Sequence, residues 1–327
     1  MPFSRADYKN TSDANDVARF LHDEIAGKTV VITGVSPKTL GSEFALTVAG
    51  QAPKLLVIAA RNVEKLTKVA EEIKAKYPDA NVKTLQVDLA SFESAKKAGD
   101  EIASCEDVPM IDVLVNNAGI MAQPYSKTVD GFESQFATNH LGHFIFTKRL
   151  MPKILAAARV GREPRIVNIS SNGHRIYGIN WDDVNFSDGK TYDPWMAYGQ
   201  SKTANMLFSL ALAERYGGRG VYSFSVHPGL IVDTNLGAHL DKEAVMELLF
   251  SDQTPEPDIP LIQKTLQQGV STHVVAAFDP EIKKDNGKYL ADCIVADHRV
   301  KDWAADKSSA KRLWELSEQL TGEKYDE

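Results

Sequence analysis

Apolar residues along this chain fall into two rhythms, short unbroken runs and helix-spaced stripes, and the two alternate. Val17, Phe20, Leu21 and Ile25 recur at helical spacing after the cap candidates Ser12 and Asp13, and the stripe stops at Gly27, which predicts a packed amphipathic helix. Lys28 to Thr33 then reads as a short buried strand, broken by Gly34 to Gly41 before a helical run from about Ser42. Leu55 to Ala60 is a second buried run, and Val82 to Asp88 a third, followed by a helix to about Cys105. Ile111 to Val115, Arg165 to Ile169 and Val221 to Val226 continue the series, with a long helix through Met206, Leu207 and Leu210 to about Tyr216. Lys264 to about Phe278 reads as a final helix, Tyr289-Leu290 as the last strand, and Ser308 to Thr321 as an exposed terminal helix. Strands alternating with helices of this length imply right-handed crossovers, hence an α/β fold built on a doubly wound parallel sheet with helices on both faces. The expected organisation is an N-terminal helical extension over 1–27 and one domain over 28–327, without internal repeats or an interdomain linker.

Composition narrows the partner more than the fold. Across 327 residues, 43% hydrophobic and 25% charged positions are ordinary globular values, enough for one large domain. The net charge of −7 has no clustered basic run behind it, which argues against nucleic acid or an anionic membrane and for a small molecule. Asp16, His22, Asp23 and Glu24 give the first helix no basic face with which to lie on a membrane. No apolar run reaches the length of a membrane span, and Met1 to Asp7 lack the apolar core of a secretory signal, so a cytoplasmic location is expected. Cys105 and Cys293 stand far apart, which predicts neither a disulfide framework nor a thiolate zinc site. His140 and His143 invite a metal reading, but no third ligand stands near at suitable spacing, so helix packing is expected and no metal.

The candidate chemistry is a phenol and an ammonium one helical turn apart, Tyr198 and Lys202. A lysine held beside a tyrosine favours the phenolate and predicts a phenol pKa below its usual value of ~10; the plain alternative is a solvated helix face. Upstream, the strand, tight turn and helix start around Gly34, Ser36, Lys38, Thr39, Leu40 and Gly41 form a candidate dinucleotide site, where free amides and a helix dipole meet a pyrophosphate. The usual three-glycine spacing is not met, since only Gly34 and Gly41 remain. Arg61 closes the second buried run where an NAD-type site would present a carboxylate. With Lys38 nearby it predicts a 2′-phosphate, hence NADP(H), against the alternative of a surface arginine opening the next helix. Asp88, with Leu89 after it, stands where a carboxylate reaches an adenine edge or caps a helix, and both readings stay open.

Taken in order, Thr33-Gly34 with Gly41, Asn116-Asn117-Ala118-Gly119, Asn139-His140-Leu141-Gly142-His143-Phe144, Ile169-Ser170-Ser171, Tyr198 with Lys202, and His227-Pro228-Gly229 carry a resemblance. The chain resembles the short-chain dehydrogenase/reductase family from about Lys28 to at least Gly229, with a looser match beyond. Asp130-Gly131-Phe132-Glu133 and the Asn139 stretch are similar to its retinol-dehydrogenase-like branch. The Gly34–Gly41 loop and the tail Gly287 to Cys293 look like fungal members of that branch, many of which act in secondary metabolism.

The resemblance implies a Rossmann-type fold and a fourfold catalytic set: Tyr198 as acid/base, Lys202 as its activating and ribose-binding partner, Ser171 bonding the substrate oxygen, and Asn139 holding a relay water. It places the cofactor against Asn117, Ala118, Gly119, Tyr198, Lys202, Pro228 and Gly229, and matches Thr234 to a carboxamide-binding threonine, one residue later than the family spacing. Ser170 is the competing member of the serine pair. The acidic stretch from about Leu236 to Pro260 suits a lid over substrate or a passive surface loop. Around Met121, Gly173 to Ile179, Trp181 and Trp195 the lining is apolar and aromatic, which fits a hydrophobic carbonyl or alcohol substrate, and the resemblance favours a homodimer. The expected activity is NADP(H)-dependent hydride transfer at a carbonyl or alcohol carbon. A cofactor-binding sensor without turnover and an NAD-preferring alcohol dehydrogenase are the alternatives.

Overall fold

The computed structural model describes residues 3–231, 234–237, 239–240 and 263–325. Eight strands form one sheet: β1 (Thr29–Thr33), β2 (Leu55–Ala60), β3 (Val82–Gln86), β4 (Val113–Asn116), β5 (Arg165–Ile169), β6 (Tyr222–His227), β7 (Tyr289–Ala291) and β8 (Ile294–Val295). Their order is β3-β2-β1-β4-β5-β6-β7-β8, parallel throughout except for the antiparallel β7–β8 pair. The order reverses between β1 and β4, and at such a switch point the flanking connections leave on opposite faces and open a crevice at the strands' carboxyl ends.

Side chains alternate across each strand. Val31, Val57, Leu114 and Ile166 enter one core and Val30, Ile32, Val115 and Val167 the other, so both faces are buried and the runs read as continuously apolar. On the second face lie α1 (Ala14–Phe20), α2 (His22–Ile25), α3 (Leu40–Ala49), α4 (Val63–Lys76) and α9 (Leu266–Phe278). On the first lie α5 (Phe92–Ser104), α7 (Gly142–Arg159), α8 (Pro194–Tyr216) and α11 (Lys307–Thr321), with the short α6 (Ser134–Phe136) and α10 (Asp302–Ala305) beside them.

Several boundaries and burial patterns differ from the sequence reading. Helix α3 begins at Leu40 rather than Ser42, because Thr39 supplies the cap by accepting from the Ser42 N–H. The single N-terminal helix is split at Leu21 into α1, capped by Asp13, and α2; Val17, Leu21 and Ile25 are buried, but Phe20 turns outward against Phe3 and Tyr8. Tyr289-Leu290 is not the last strand, since β8 folds back on it. The terminal helix is not exposed: Leu313 and Trp314 are buried, and Tyr325 beyond it packs on Phe144 with its hydroxyl donating to the Phe144 carbonyl at 2.7 Å. Asp130 and Glu133 are structural: Asp130 accepts from the Phe92 N–H, and the buried Glu133 carboxylate caps α6 through Gln135 and Phe136 N–H.

Candidate active site

Because β1 to β6 run parallel, the residues that follow each of them collect at one edge of the sheet. There they line a single cleft of about 1260 Å³. Its first end is built from turns. Gly34 follows β1 at φ +77°, and a Cβ there would stand 2.6 Å from the Ala118 Cα. Gly41 meets the same turn from the helix side, where a Cβ would lie 2.5 Å from the Gly34 carbonyl oxygen. Both glycines are therefore needed for close approach, although only Gly34 lines the cleft. Ser36, Thr39 and Leu40 line it as well, followed along the edge by Arg61 after β2, Asp88 and Leu89 after β3, and Asn117, Ala118 and Gly119 after β4. Lys38 does not. Its backbone sits at φ +60° and it is not a lining residue, so the second cation expected from the loop is missing there. Lys65 takes that place: it lines the cleft beside Arg61 and Asn62 from the first turn of α4. A lysine four residues after Arg61, at a helix start, was the sequence signal for it. Asp88 does not cap α5; Ser91 does, while Asp88 accepts from the Ala90 N–H at 3.0 Å.

At the centre of the cleft the two serines after β5 separate cleanly. Ser170 Oγ donates to the Lys202 carbonyl at 2.8 Å inside the core. Ser171 instead accepts from the Gly173 N–H at 3.0 Å and hydrogen-bonds the Tyr198 phenol. Tyr198 and Lys202 lie on α8 and both line the cleft. The expected fall in the phenol pKa is not what this arrangement gives. Burial pushes Tyr198 up to about 12, the Ser171 hydrogen bond only partly opposing it. The reason is geometric: Lys202 Nζ donates to the Ile169 carbonyl at 3.0 Å and sits 5.5 Å from the centre of the phenol ring. The lysine itself is drawn down to about 8 by burial.

Asn139 does not line the cleft but stands behind it. It lies in a five-residue π-turn, Ala137–Leu141, the kind of local unwinding that accumulates at functional sites. Its carboxamide is fully occupied: Nδ2 donates to the Ile120 carbonyl and Ser201 Oγ, each at 2.9 Å, and Oδ1 accepts from the Ile120 N–H at 2.8 Å. Its main-chain carbonyl accepts from His143 Nδ1 at 3.0 Å, with a second lone pair available to a relay water. A carbonyl can only accept, so Nδ1 carries the proton and Nε2 accepts from Thr33 Oγ1 at 2.8 Å. Thr33 Oγ1 in turn accepts from the Asn117 and Ala118 N–H groups, each at 3.0 Å. One hydrogen-bonded chain thus ties the cofactor-side turn to Asn139. Burial holds His143 at about 4, so it serves as a fixed dipole rather than a proton carrier. His140 points elsewhere, to Ser317 Oγ at 2.7 Å. Among the described residues no three His, Cys, Asp or Glu side chains converge as a metal would need.

The far end of the cleft is apolar. Met121, Ile176, Trp195, Ile231, Leu236 and Leu240 line it, and Trp195 meets the Tyr198 ring edge-on at 6.2 Å. Pro228, Gly229 and Thr234 form the rim between this end and the centre. Trp181, expected here, packs instead in the first core under the Arg312 guanidinium at 4.5 Å. Of the suggested 236–260 lid, residues 241–260 lie outside the described residues.

Comparison with known proteins decides the family. A family model described as short chain dehydrogenase matches residues 28–182. The chain is 37% identical to short-chain dehydrogenase TIC 32 A, chloroplastic, of Brassica napus, over 97% of this chain and 95% of that one. It is 35% identical to short-chain dehydrogenase/reductase prx1 of Penicillium roqueforti, over 90% and 85%. Retinol dehydrogenase 12 of Mus musculus is likewise 35% identical, over 91% and 88%. The chain belongs to the short-chain dehydrogenase/reductase family. Among solved structures, a putative uncharacterized protein from Mycobacterium paratuberculosis superposes with a TM-score of 0.69 at 29% identity, covering all of both chains. Membership makes the chain an oxidoreductase that binds a nicotinamide cofactor, with a small molecule as substrate. Among the described residues no helix is long and apolar enough to cross a membrane.

Proposed function

We propose that this protein is an NADP(H)-dependent carbonyl reductase, or reversible alcohol dehydrogenase, acting on a hydrophobic small molecule. The observation that carries the reading is the Tyr198 phenol, hydrogen-bonded to Ser171 and flanked by Lys202, midway along a cleft whose two ends differ in character. The bound nicotinamide supplies the hydride. In reduction Ser171 and Tyr198 both donate to the carbonyl oxygen as negative charge develops there, and Tyr198 passes its proton on. A phenol raised to about 12 keeps that proton until the developing alkoxide takes it. Lys202, largely charged at neutral pH with its pKa drawn down to about 8, lines the same cleft one helical turn on, where its ammonium can bind the cofactor's ribose.

Two cations, Arg61 and Lys65, border the cleft beyond β2 where a 2′-phosphate would lie, and this supports NADP(H) over NAD(H). The apolar wall around Trp195 and Ile176 supports a hydrophobic substrate. The test is NADPH consumption over a panel of ketones and aldehydes by the wild type and Tyr198→Phe. Turnover that largely disappears in the variant while NADPH still binds supports the assignment; near-normal turnover refutes it.

A further inference from the structure

The side chain immediately after Ser171 brings to the cleft a hydrogen-bond donor without a partner among the described residues. Asn172 lines the cleft at the end of β5, and its backbone N–H reaches His227 Nδ1 at 3.4 Å. Its Oδ1 accepts from the Tyr289 hydroxyl at 2.9 Å. Tyr289 is a rigid anchor for that oxygen. It is 1% exposed, sits in β7 in register with Ser225 of β6, and packs edge-on against the His174 ring at 5.3 Å. The turn that carries Asn172 is held from the same side, by Trp303 Nε1 donating to the His174 carbonyl at 3.0 Å and Arg175 donating to the Arg299 carbonyl at 2.6 Å.

A carboxamide carries its acceptor and its two donors on opposite arms. With the oxygen on Tyr289, Nδ2 is the open arm, with no hydrogen bond to an acceptor among the described residues. On the facing wall Gln123 Nε2 is engaged with the Met121 carbonyl and His239, and Lys127 with Asp188, while the Tyr125 and Thr128 hydroxyls are buried without a partner among the described residues. We infer that Asn172 is a specificity-determining residue whose carboxamide N–H selects carbonyl compounds bearing a second oxygen acceptor on a neighbouring carbon, with Tyr289 as the residue that positions it. Ser171 and Asn172 both line the cleft, so a substrate oxygen can face each of them, and a 1,2-dicarbonyl is the smallest unit that carries two. A substrate lacking the second oxygen leaves the N–H desolvated and unpaired, which is the stronger of the two sources of discrimination.

This inference rests on the carbonyl-reductase reading, and its test separates the two. Full-length wild type, Asn172→Ala and Tyr289→Phe are assayed for NADPH consumption with a 1,2-diketone and with the monoketone of the same chain length. NADPH binding and circular dichroism confirm the fold of each variant. The ratio of kcat/KM for the two substrates is the readout, because comparing ratios between enzymes cancels the intrinsic reactivity of the diketone. The ratio is expected to fall about three- to tenfold in Asn172→Ala, the size of one neutral hydrogen bond, and by a smaller factor in Tyr289→Phe, where the carboxamide is free to turn. Equal losses on both substrates in Asn172→Ala, leaving the ratio unaltered, overturn the inference while carbonyl reduction stands. An unaltered ratio in Tyr289→Phe overturns the part given to that tyrosine. Absence of NADPH consumption with every carbonyl removes the reductase reading and this inference together.

Discussion

The two ends of the cleft are made in different ways. At the dinucleotide end the wall is mostly main chain: turns after β1 to β4, shaped by Gly34 and Gly41, with Arg61 and Lys65 added at the rim. At the substrate end it is side chains gathered from Met121 to Thr128, Asn172 to Ile176, Trp195 and Ile231 to Leu240, held from behind by Tyr289 and Trp303. Backbone geometry is set locally, and here it depends on two positions that admit no Cβ. A wall of distant side chains takes its shape from tertiary contacts, and there specificity can change without disturbing the chemistry.

The largest effect expected tests the frame shared by both ends. His143 stands behind the first and His174 behind the second, and with His140 and His273 they are buried and neutral, drawn down to about 4, 4, 3 and 4. Below their unfolded pKa of ~6.5 the unfolded chain takes up protons that the native one does not, so stability is full above about pH 6.5 and falls with acidification toward 4. The slope is about 1.4 kcal/mol per histidine per pH unit, and thermal midpoints measured from pH 7 to 4.5 should fall steeply. A flat profile would mean that these rings are solvated. Next, Tyr198→Phe should lower kcat for carbonyl reduction by about 10²–10⁴ at the meeting point of the two ends, with NADPH affinity nearly kept.

Third, Arg61→Asp combined with Lys65→Ala should raise the KM for NADPH by about 10- to 100-fold, the loss of charge-assisted bonds, and turn preference toward NADH. Unchanged preference would show that this rim does not read the 2′-phosphate. Fourth, Lys202 loses its charge as pH rises through about 8, so kcat/KM for reduction should decline above that pH, by about tenfold per unit at the limit. A plateau to pH 10 would free Lys202 of that role. The smallest effect is expected from His143→Phe, about three- to tenfold in kcat, because it leaves the Asn139 carbonyl and the Thr33 hydroxyl without their link. His143→Gln, which retains a donor, should recover part of it.

The same division explains what was legible before the fold was known. The strands and their order of appearance follow from apolar runs such as Val30–Ile32 and Leu55–Ala60, whose two-sided burial leaves one reading of the pattern. The turn residues Gly34 and Arg61 follow from where those strands stop, while Asn117 followed from the family resemblance. Lys38 and Lys65 were not distinguishable on charge alone, since a left-handed residue in the loop turns one aside while a helix start turns the other inward. The misplaced Trp181 and the overlooked Asn172 have one cause: both depend on the C-terminal segment, through Arg312 on one and Tyr289 on the other. No local pattern carries contacts across more than a hundred residues. The direction of the Tyr198 shift failed for a related reason, because spacing shows that two residues share a helix face but not where the lysine's hydrogens go.

The π-turn at Ala137–Leu141 has a consequence for the length of this chain. A wide turn accommodates one residue more than an ordinary helical turn, and each residue rotates the helix by ~100°, so side chains before and after it belong to different angular phases. Deleting a single residue within it would let the segment rewind into regular helix. Phe144 and Ile145 would keep their seats in the core, while Thr138 and Ser134, which border the cleft, would be swung off it by more than a quarter turn. This five-residue stretch therefore acts as a phase adjuster, and a one-residue deletion there would put the cleft-lining Ser134, and with it the buried Gln135 and Phe136, out of register with α7.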